Sequence, residues 1–276
     1  MGRITEKFEE LKQRNEGALI CFTTAGYPNL ELTVPVLRVI SRYADIIELG
    51  LPFSDPIADG PTIQASSQKA LEEGMNTRLL FKIIREFRKE SDKPLVVLSY
   101  YNPVFRFGLE NFAKELSRAG GDGLIVPDLP VEESRHLSSI LQTVGLDLVL
   151  LAALTSDETR LRKICENSSG FVYLVSVLGV TGAREKVCEE VKELIGKIKK
   201  FSNLPVAVGF GISKPEHVEE ILTWGADGVI VGSSLIDCMT RNLKSGRMLQ
   251  TLENFICQLK EATKKKGVKA KELKRD

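Results

Sequence analysis

Two carboxylates near the end of a short apolar run are the residues best suited to chemistry in this sequence. Glu48 lies within the apolar run 45–49, where a buried carboxylate is costly unless it has a partner or a raised pKa. Asp59 follows in the next loop, between Ala58 and Gly60. A carboxylic acid with a raised pKa can donate a proton at neutral pH, which indicates acid–base catalysis. Taken alone, Glu48 is also compatible with a carboxylate satisfied by backbone donors, and Asp59 with an ordinary Asp-Gly turn.

Three glycine-containing segments late in the chain could bind a phosphate group. They are G-V-T-G-A at 179–183, G-F-G-I-S at 209–213 and V-G-S-S at 231–234. Glycine lets the backbone approach an anion, and the free N–H groups at a helix N-terminus attract it. The third segment would open a helix at 232–234. Each loop alone is compatible with a plain turn, but together they predict a phosphate-bearing substrate.

Apolar and aromatic side chains expected at strand ends could line a pocket beside the carboxylates. They are Phe22, Leu98, Tyr100, Ile125, Tyr173 and Phe210. Any one of them is compatible with core filling. Together with a carboxylate and a phosphate site, they describe a substrate with a flat apolar ring joined to a phosphorylated polyol.

Eight short runs rich in Val, Ile and Leu alternate with longer charged segments of helical period. The runs cover 18–23, 45–49, 95–100, 123–127, 147–152, 171–176, 205–210 and 228–232. Helical segments follow, for example at 30–42, 109–119, 132–144, 187–200 and 215–224. This alternation is typical of a parallel sheet with crossover helices, and eight repeats predict an α/β fold, a single TIM (β/α)8 barrel. An amphipathic segment with Ile4, Phe8 and Leu11 predicts an extra N-terminal helix that closes the bottom of the barrel.

A weak internal repeat supports one continuous domain. A-D-I-I-E at 44–48, G-D-G-L-I-V at 121–126 and A-D-G-V-I-V at 226–231 each place a small residue and an aspartate before a strand. No linker or change of composition divides the chain before residue 264, so we expect one catalytic domain over 1–263. The remaining segment, 264–276, holds seven basic and two acidic residues. We expect it to be a disordered or frayed basic tail.

The composition excludes several functional classes. The 276 residues carry 38 basic and 37 acidic side chains. Without the basic tail the chain is slightly acidic, so it lacks the positive charge that is typical of nucleic-acid-binding proteins. Five scattered cysteines and two surface-type histidines, His136 and His217, predict neither a disulfide framework nor a metal site. The longest apolar run, 148–154, is too short to span a membrane, and we expect a cytoplasmic protein. The lysines lie in helices or connections, so a Schiff-base aldolase is disfavoured and cofactor-free acid–base chemistry remains.

These residues resemble one known family. The matching segments are E-L-G-L-P-F-S-D-P-I-A-D-G-P-T-I-Q at 48–64, P-D-L-P-V-E-E at 127–133, G-V-T-G at 179–182 and G-F-G-I-S at 209–213. In order and spacing they resemble the tryptophan synthase alpha subunits, over about residues 4 to 260. The resemblance implies a TIM barrel that cleaves indole-3-glycerol phosphate to indole and glyceraldehyde 3-phosphate by a retro-aldol reaction. It further implies an alpha-beta-beta-alpha heterotetramer in which indole passes through a tunnel to the beta subunit. Pyridoxal phosphate belongs to that partner, and this chain carries no cofactor.

The resemblance also implies roles for individual residues. Glu48 would be the acid–base residue, Asp59 would accept a hydrogen bond from the indole N–H, and Thr181 would close onto Asp59. Phosphate would be bound at Gly182, Phe210, Gly211, Ile212, Gly232 and Ser233. The indole pocket would be lined by Phe22 and Tyr173, with Leu98, Tyr100 and Ile125 as further candidates. The beta partner would contact Pro52, Phe53, Ser54, Asp55, Pro56, Asp128 and Pro130.

Two features depart from the family pattern: the long basic tail from Lys264, and Val177-Leu178 before G-V-T-G. Two other functions stay open. One is a different phosphosugar-handling TIM-barrel enzyme, and the other is a barrel that mainly activates a beta-type partner. Release of indole from indole-3-glycerol phosphate separates these alternatives from the lyase.

Overall fold

The computed structural model describes residues 2–175, 184–209 and 211–264, apart from the side chains of 184–188. The strands are β1 (Ala18–Thr24), β2 (Ile46–Gly50), β3 (Leu95–Leu98), β4 (Gly123–Ile125), β5 (Asp147–Val149), β6 (Leu151–Ala153), β7 (Val172–Val175), β8 (Val206–Gly209) and β9 (Gly228–Val231). The first helices are α1 (Arg3–Gln13), α2 (Leu30–Tyr43), α3 (Pro61–Glu72), α4 (Thr77–Arg88), α5 (Tyr101–Phe107) and α6 (Leu109–Ala119). The later helices are α7 (Ser134–Thr143), α8 (Glu158–Asn167), α9 (Arg184–Phe201), α10 (Pro215–Thr223), α11 (Ser233–Asn242) and α12 (Met248–Lys264).

All the strands run parallel and form one closed barrel. The sheet order is β5-β4-β3-β2-β1-β9-β8-β7-β6, and β5 continues along the chain into β6, which completes the ring. The sequence predicts one strand over 147–152, whereas the structure has two, because β5 pairs with β4 and β6 pairs with β7. Counted as one interrupted strand, β5 and β6 bring the barrel to eight strands. The predicted TIM barrel is confirmed.

The helix bounds agree with the expected ones to within a few residues. The expected helix over 132–144 is a 3₁₀ turn (Val131–Glu133) followed by α7, and the helix expected over 187–200 begins earlier, at Arg184. Lys264 belongs to the predicted basic tail but is the last residue of α12, and the rest of the tail lies outside the described residues. Within the described part of the chain, no helix combines the length and apolar character that a membrane crossing needs.

The barrel has two apolar layers, one inside the strands and one between the strands and the helices. The inner layer includes Ile20, Ile46, Val96, Ile125, Val149, Phe171 and Ile230. Helix α1 closes it from below through Ile4, Phe8 and Leu11, and the Phe8 ring lies 5.8 Å from that of Phe171. The helices bury their inward faces in the outer layer, as α4 does with Leu80, Phe81, Ile84 and Phe87. The residues closer to the carboxyl ends of the strands, beyond this inner layer, are therefore available to line a pocket.

The aspartates of the internal repeat bind neighbouring strands together at the bottom of the barrel. Asp45, Asp122 and Asp227, which we call the bottom-face aspartates, each precede a strand. Their carboxylates accept the N–H groups of Leu19, Leu95 and Val206 at 2.8, 2.8 and 2.9 Å. Their own N–H groups donate to the carbonyls of the same three residues at 2.9, 2.8 and 2.8 Å. The repeat therefore encodes a reciprocal pair of hydrogen bonds at the start of a strand.

Each bottom-face aspartate also forms an ion pair. The nearest cationic groups are Lys260 for Asp45 at 2.8 Å, Arg88 and Arg3 for Asp122 at 2.7 Å each, and Lys199 for Asp227 at 2.9 Å. The pair of Asp122 with Arg88 is the most buried, with side-chain exposures of 8% and 10%. Loss of one partner from a buried pair leaves the other charge uncompensated, so we expect Asp122 to contribute strongly to the stability of the fold.

Asp122→Ala is expected to lower the free energy of unfolding by about 3–5 kcal/mol, because it leaves the Arg88 guanidinium buried without its carboxylate. Urea titration of the variant and the parent measures the difference. Glu158→Ala is the matched control, because its pair with Arg162 is exposed and should contribute about 0.5 kcal/mol or less. Equal losses in the two variants would contradict this assignment.

Candidate active site

A cavity of about 430 Å³ lies at the carboxyl ends of the strands, where TIM-barrel enzymes carry their active sites. Its wall combines strand ends with the loop after β2 and the first residues of α3 and α11. The lining residues are Phe22, Glu48, Ala58, Asp59, Gly60, Pro61, Thr62, Ile63, Leu98, Pro127, Leu151, Tyr173, Val175, Gly209, Gly211, Ile212, Ile230, Gly232 and Ser233. Both candidate catalytic carboxylates and four of the candidate phosphate ligands are thus in one cavity with apolar side chains.

Glu48 lies on β2, paired in register with Phe22 on β1 and Val96 on β3. Its residue exposure is 1%, and its Oε2 atom has no hydrogen-bond partner among the described residues. Burial, reinforced by the charge of Asp59, raises the pKa of the Glu48 carboxyl to about 8. Glu48 is therefore mainly protonated at pH 7, and it can donate a proton to a molecule in the cavity.

Asp59 is held in the loop between β2 and α3 by three groups. Its N–H donates to the carbonyl of Pro56 at 3.0 Å, and its carbonyl accepts the Gln64 side-chain amide at 2.8 Å. The Tyr100 hydroxyl hydrogen-bonds the Asp59 carboxylate and accepts the N–H of Ala58 at 2.9 Å. Burial raises the pKa of Asp59 to about 6, and the hydrogen bond from Tyr100 opposes this rise. At pH 7 the site thus holds one ionised and one protonated carboxyl, the usual arrangement for divided acid–base roles.

The other end of the cavity is suited to an anion. Helix α11 begins at Ser233, and its N-cap residue, Gly232, provides no side-chain cap, so the first N–H groups of the helix are open to a ligand. Gly211 has φ +55°, a left-handed conformation that glycine adopts without strain, and Ile212 beside it accepts the Ser234 hydroxyl at 2.7 Å. The candidate residues Thr181, Gly182 and Phe210 lie outside the described residues.

The candidate ring pocket is only partly as the sequence reasoning expects. Phe22, Leu98 and Tyr173 line the cavity, together with Leu151, Val175 and Ile230, which that reasoning missed. Tyr100 does not line it, because its ring packs against Phe53 at 5.4 Å and its hydroxyl holds the Asp59 loop. Ile125 lies fully buried in the inner layer of the barrel core.

Two glycines at strand ends are required by the aromatic rings of this pocket. A Cβ atom on Gly209 would lie 2.5 Å from the Tyr173 hydroxyl, and one on Gly50 would lie 2.7 Å from the Phe22 ring. Either contact is closer than van der Waals packing allows, so a side chain at these positions would displace the ring. Gly50 and Gly209 therefore leave the space that the Phe22 and Tyr173 rings occupy in the pocket wall.

The candidate partner residues lie on loops at the same end of the barrel. Ser54 and Asp55 are exposed, Pro52 is buried, and Phe53 and Pro56 are half-buried. Asp128 is exposed and accepts the N–H of Tyr101 at 2.8 Å, and Pro130 is exposed as well. Ile57, at 84% exposure, and Phe105, at 62%, add apolar surface that sequence reasoning did not single out. A large apolar side chain left in solvent is a frequent sign of a partner surface.

Comparisons with known proteins agree with this geometry. The family described as "Tryptophan synthase alpha chain" matches residues 8–265. The tryptophan synthase alpha chain of Methanocaldococcus jannaschii is 49% identical over 254 residues, which cover 92% of this chain and 90% of that protein. That of Thermoanaerobacter sp. strain X514 is 45% identical over 262 residues, covering 95% and 99%.

Solved structures agree as well. Tryptophan synthase subunit alpha from Legionella pneumophila superposes with a TM-score of 0.88 at 34% identity, covering 95% of this chain and 98% of that one. A chain of the tryptophan synthase a2b2 complex from Pyrococcus furiosus superposes with a TM-score of 0.82 at 43% identity, covering 88% and 98%. On sequence and fold alike, the chain belongs to the tryptophan synthase alpha chain family.

Proposed function

We propose that this chain is a carbon–carbon lyase that cleaves indole-3-glycerol phosphate to indole and glyceraldehyde 3-phosphate without a cofactor of its own. The observation that carries the proposal is the pair of cavity carboxyls, because burial leaves Glu48 protonated while Asp59 stays ionised at pH 7. Family membership points to the same reaction. The apolar part of the cavity suits a flat ring, and the N-terminus of α11 suits a phosphate.

In the proposed reaction Glu48 both gives and takes a proton. It first protonates C3 of the indole, which forms an indolenine-like cation, and then accepts the proton of the glycerol hydroxyl on the adjacent carbon. The O–H electrons form the aldehyde, the C–C bond breaks, and its electrons return to the ring. The sum of the steps is cleavage with no net gain or loss of protons. Glu48 ends protonated, ready for the next cycle.

Asp59 supplies the electrostatic part of the proposal. As positive charge develops on the ring, its carboxylate accepts a stronger hydrogen bond from the indole N–H, which favours the transition state over the bound substrate. By motif we also assign Thr181 to closure onto Asp59, and Gly182 and Phe210 to the phosphate site. None of the described residues that line the cavity is Lys or Arg. Backbone N–H groups and the dipole of α11 would therefore bind the phosphate.

We further propose that the chain works as the alpha subunit of an alpha-beta-beta-alpha assembly, like the a2b2 complex of its P. furiosus relative. The exposed loops with Asp55, Ile57 and Asp128, together with Phe105 of α5, are the surface that we assign to the beta subunit. The partner would hold pyridoxal phosphate and receive indole. A reducing compartment such as the cytoplasm suits the four described cysteines, all free thiols.

The test is a steady-state assay of indole release from indole-3-glycerol phosphate, with and without the beta subunit. We expect release in both cases, and faster release in the complex. A chain that releases no indole in either state but stimulates the serine reaction of its partner would be an activating subunit instead. Turnover of another phosphosugar without indole release would assign it to a different barrel enzyme.

The pH dependence of kcat/KM is expected to be bell-shaped. The rate should fall below about pH 6, where Asp59 gains a proton and loses its negative charge, and above about pH 8, where Glu48 loses the proton that it must donate. Initial rates at low substrate concentration between pH 5 and pH 9.5 measure the profile. A rate that keeps rising above pH 9 would rule out Glu48 as the acid.

A further inference from the structure

One hydrogen bond joins the two helices whose first residues line the cavity. The hydroxyl of Thr62 on α3 donates to Oδ1 of Asp237 on α11 at 3.2 Å. Thr62 is the second residue of α3 and comes three positions after Asp59. Asp237 lies one turn after Ser233, at the proposed phosphate end, and does not itself line the cavity. This contact therefore connects the Asp59 side of the site with the phosphate side.

Contacts with other elements help to hold the first turn of α3, because its N-cap residue has no side chain. Its N-cap is Gly60, which provides no side-chain hydrogen bond. In the next turn the Ser66 hydroxyl donates to the carbonyl of Ile63 at 2.8 Å. Since a hydroxyl has only one proton, Ser66 must then accept from Thr24 of β1 at 2.7 Å. This second contact fixes α3 to β1. Near Asp59, the Gln64 amide binds the Asp59 carbonyl at 2.8 Å, and Thr62 fixes the same turn to α11.

Helix α11 provides a firm anchor for this contact. Leu235 and Ile236 are buried, and the Ser234 hydroxyl binds the carbonyl of Ile212 at 2.7 Å. Asp237 follows directly on the same helix, so its carboxylate has a fixed place relative to the N–H groups at the helix start. A substrate that meets both Asp59 and those N–H groups needs a set distance between them. A displacement of about 1 Å can cost as much as 10²-fold in rate.

We propose that Asp237 is a positioning residue for the cleavage reaction. Through Thr62 it holds the start of α3, and with it Asp59, at the correct distance from the N-terminus of α11. It makes no contact with the reacting atoms and acts only through the Thr62 hydroxyl. The inference rests on the proposed lyase function, because Asp59 and the phosphate site are the two points whose separation it sets.

The experiment measures kcat and KM for indole release by the alpha subunit in complex with its beta partner. Asp237→Ala is expected to lower kcat about tenfold with KM within about twofold, because the misplaced Asp59 acts mainly on the transition state. Asp237→Asn keeps an acceptor oxygen for Thr62 and should stay within about twofold of the parent in kcat. Gln68→Ala, on the exposed face of α3, is the matched control and should leave both constants unchanged. The thermal midpoint of each variant reports on folding.

A double-mutant cycle separates this role from a general loss of structure. Thr62→Val should reproduce the loss in Asp237→Ala, and the double variant should be no slower than either single one, because all three lack the same hydrogen bond. Thr62→Ser should restore the rate relative to Thr62→Val, which keeps the test decisive if Asp237→Ala does not fold.

Several results would overturn the inference. They are a parental kcat in Asp237→Ala, a rise in KM with kcat unchanged, Asp237→Asn as slow as Asp237→Ala, Thr62→Ser as slow as Thr62→Val, or independent losses that multiply in the double variant. A parent protein that releases no indole would instead reject the proposed function itself.

Discussion

Glu48→Gln is expected to lower kcat/KM for indole release by about 10³-fold while the fold survives, because the amide keeps the shape of the side chain but neither gives nor takes a proton. The assay is indole release by the parent and variant at pH 7, each with the beta subunit. Gln fits the same place on β2 without a charge, so substrate binding should change little. A variant that retains most of its turnover would reject Glu48 as the acid–base residue.

The Glu48→Gln substitution should also change the pH dependence of stability. The pKa of Glu48 rises from an ordinary 4.5 to about 8 on folding, so between these pH values the folded protein holds a proton that the unfolded chain releases. The free energy of unfolding therefore falls as the pH rises through this window. Gln does not titrate, and at pH 8 the variant should be more stable than the parent, by on the order of a few kcal/mol. Urea unfolding at pH 4.5 and pH 8 measures this, and the advantage should vanish at the lower pH.

Asp59→Asn is expected to lower kcat/KM by about 10²- to 10³-fold, the size found when one preorganised group that stabilises a developing charge is removed. Asn can still accept the indole N–H, but it brings no negative charge toward the cationic ring. The loss should fall on kcat more than on KM, and the decline of the rate below pH 6 should disappear. Steady-state kinetics from pH 5 to pH 8 test both points.

Glu73→Gln is the control for Asp59→Asn. It removes a carboxylate from the exposed end of α3, where Glu73 pairs with Lys69 outside the cavity. It should leave both constants and the pH profile as in the parent. If Asp59→Asn kept the acidic decline near pH 6, another group would have to be the one that titrates there.

Much of the fold could be predicted because each strand is a short apolar run. The break at Leu150 could not be predicted, because it arises where the chain changes its pairing from β4 to β7. An uninterrupted run of apolar residues does not indicate which strand each residue pairs with. The sequence shows the bottom-face aspartates as a repeat but not their hydrogen bonds, because each bond joins an aspartate to an amide in the preceding strand, on the other side of a helix.

Some residues of the candidate site could likewise be predicted from the sequence, and others could not. Glu48 could be found because a carboxylate inside an apolar strand is unusual, and Leu151, Val175 and Ile230 could have been found by counting alternate residues to the end of each strand. The sequence predicts Tyr100 in the ring pocket, but the turn at the start of α5 directs its hydroxyl to the Asp59 loop. The bond of Thr62 to Asp237 joins residues 175 positions apart, and no local pattern indicates it.

The bottom-face aspartates bear on the order in which this barrel can fold. Their bonds to the N–H groups of Leu19, Leu95 and Val206 span only 26, 27 and 21 residues. Each closes one strand–helix–strand unit, so the entropy lost in closing its loop is modest, and the unit can form before the ring of strands is complete. The pairing of β1 with β9, which joins the two ends of the chain, has no such local support. We therefore expect the pairing of β1 with β9 to form late in folding.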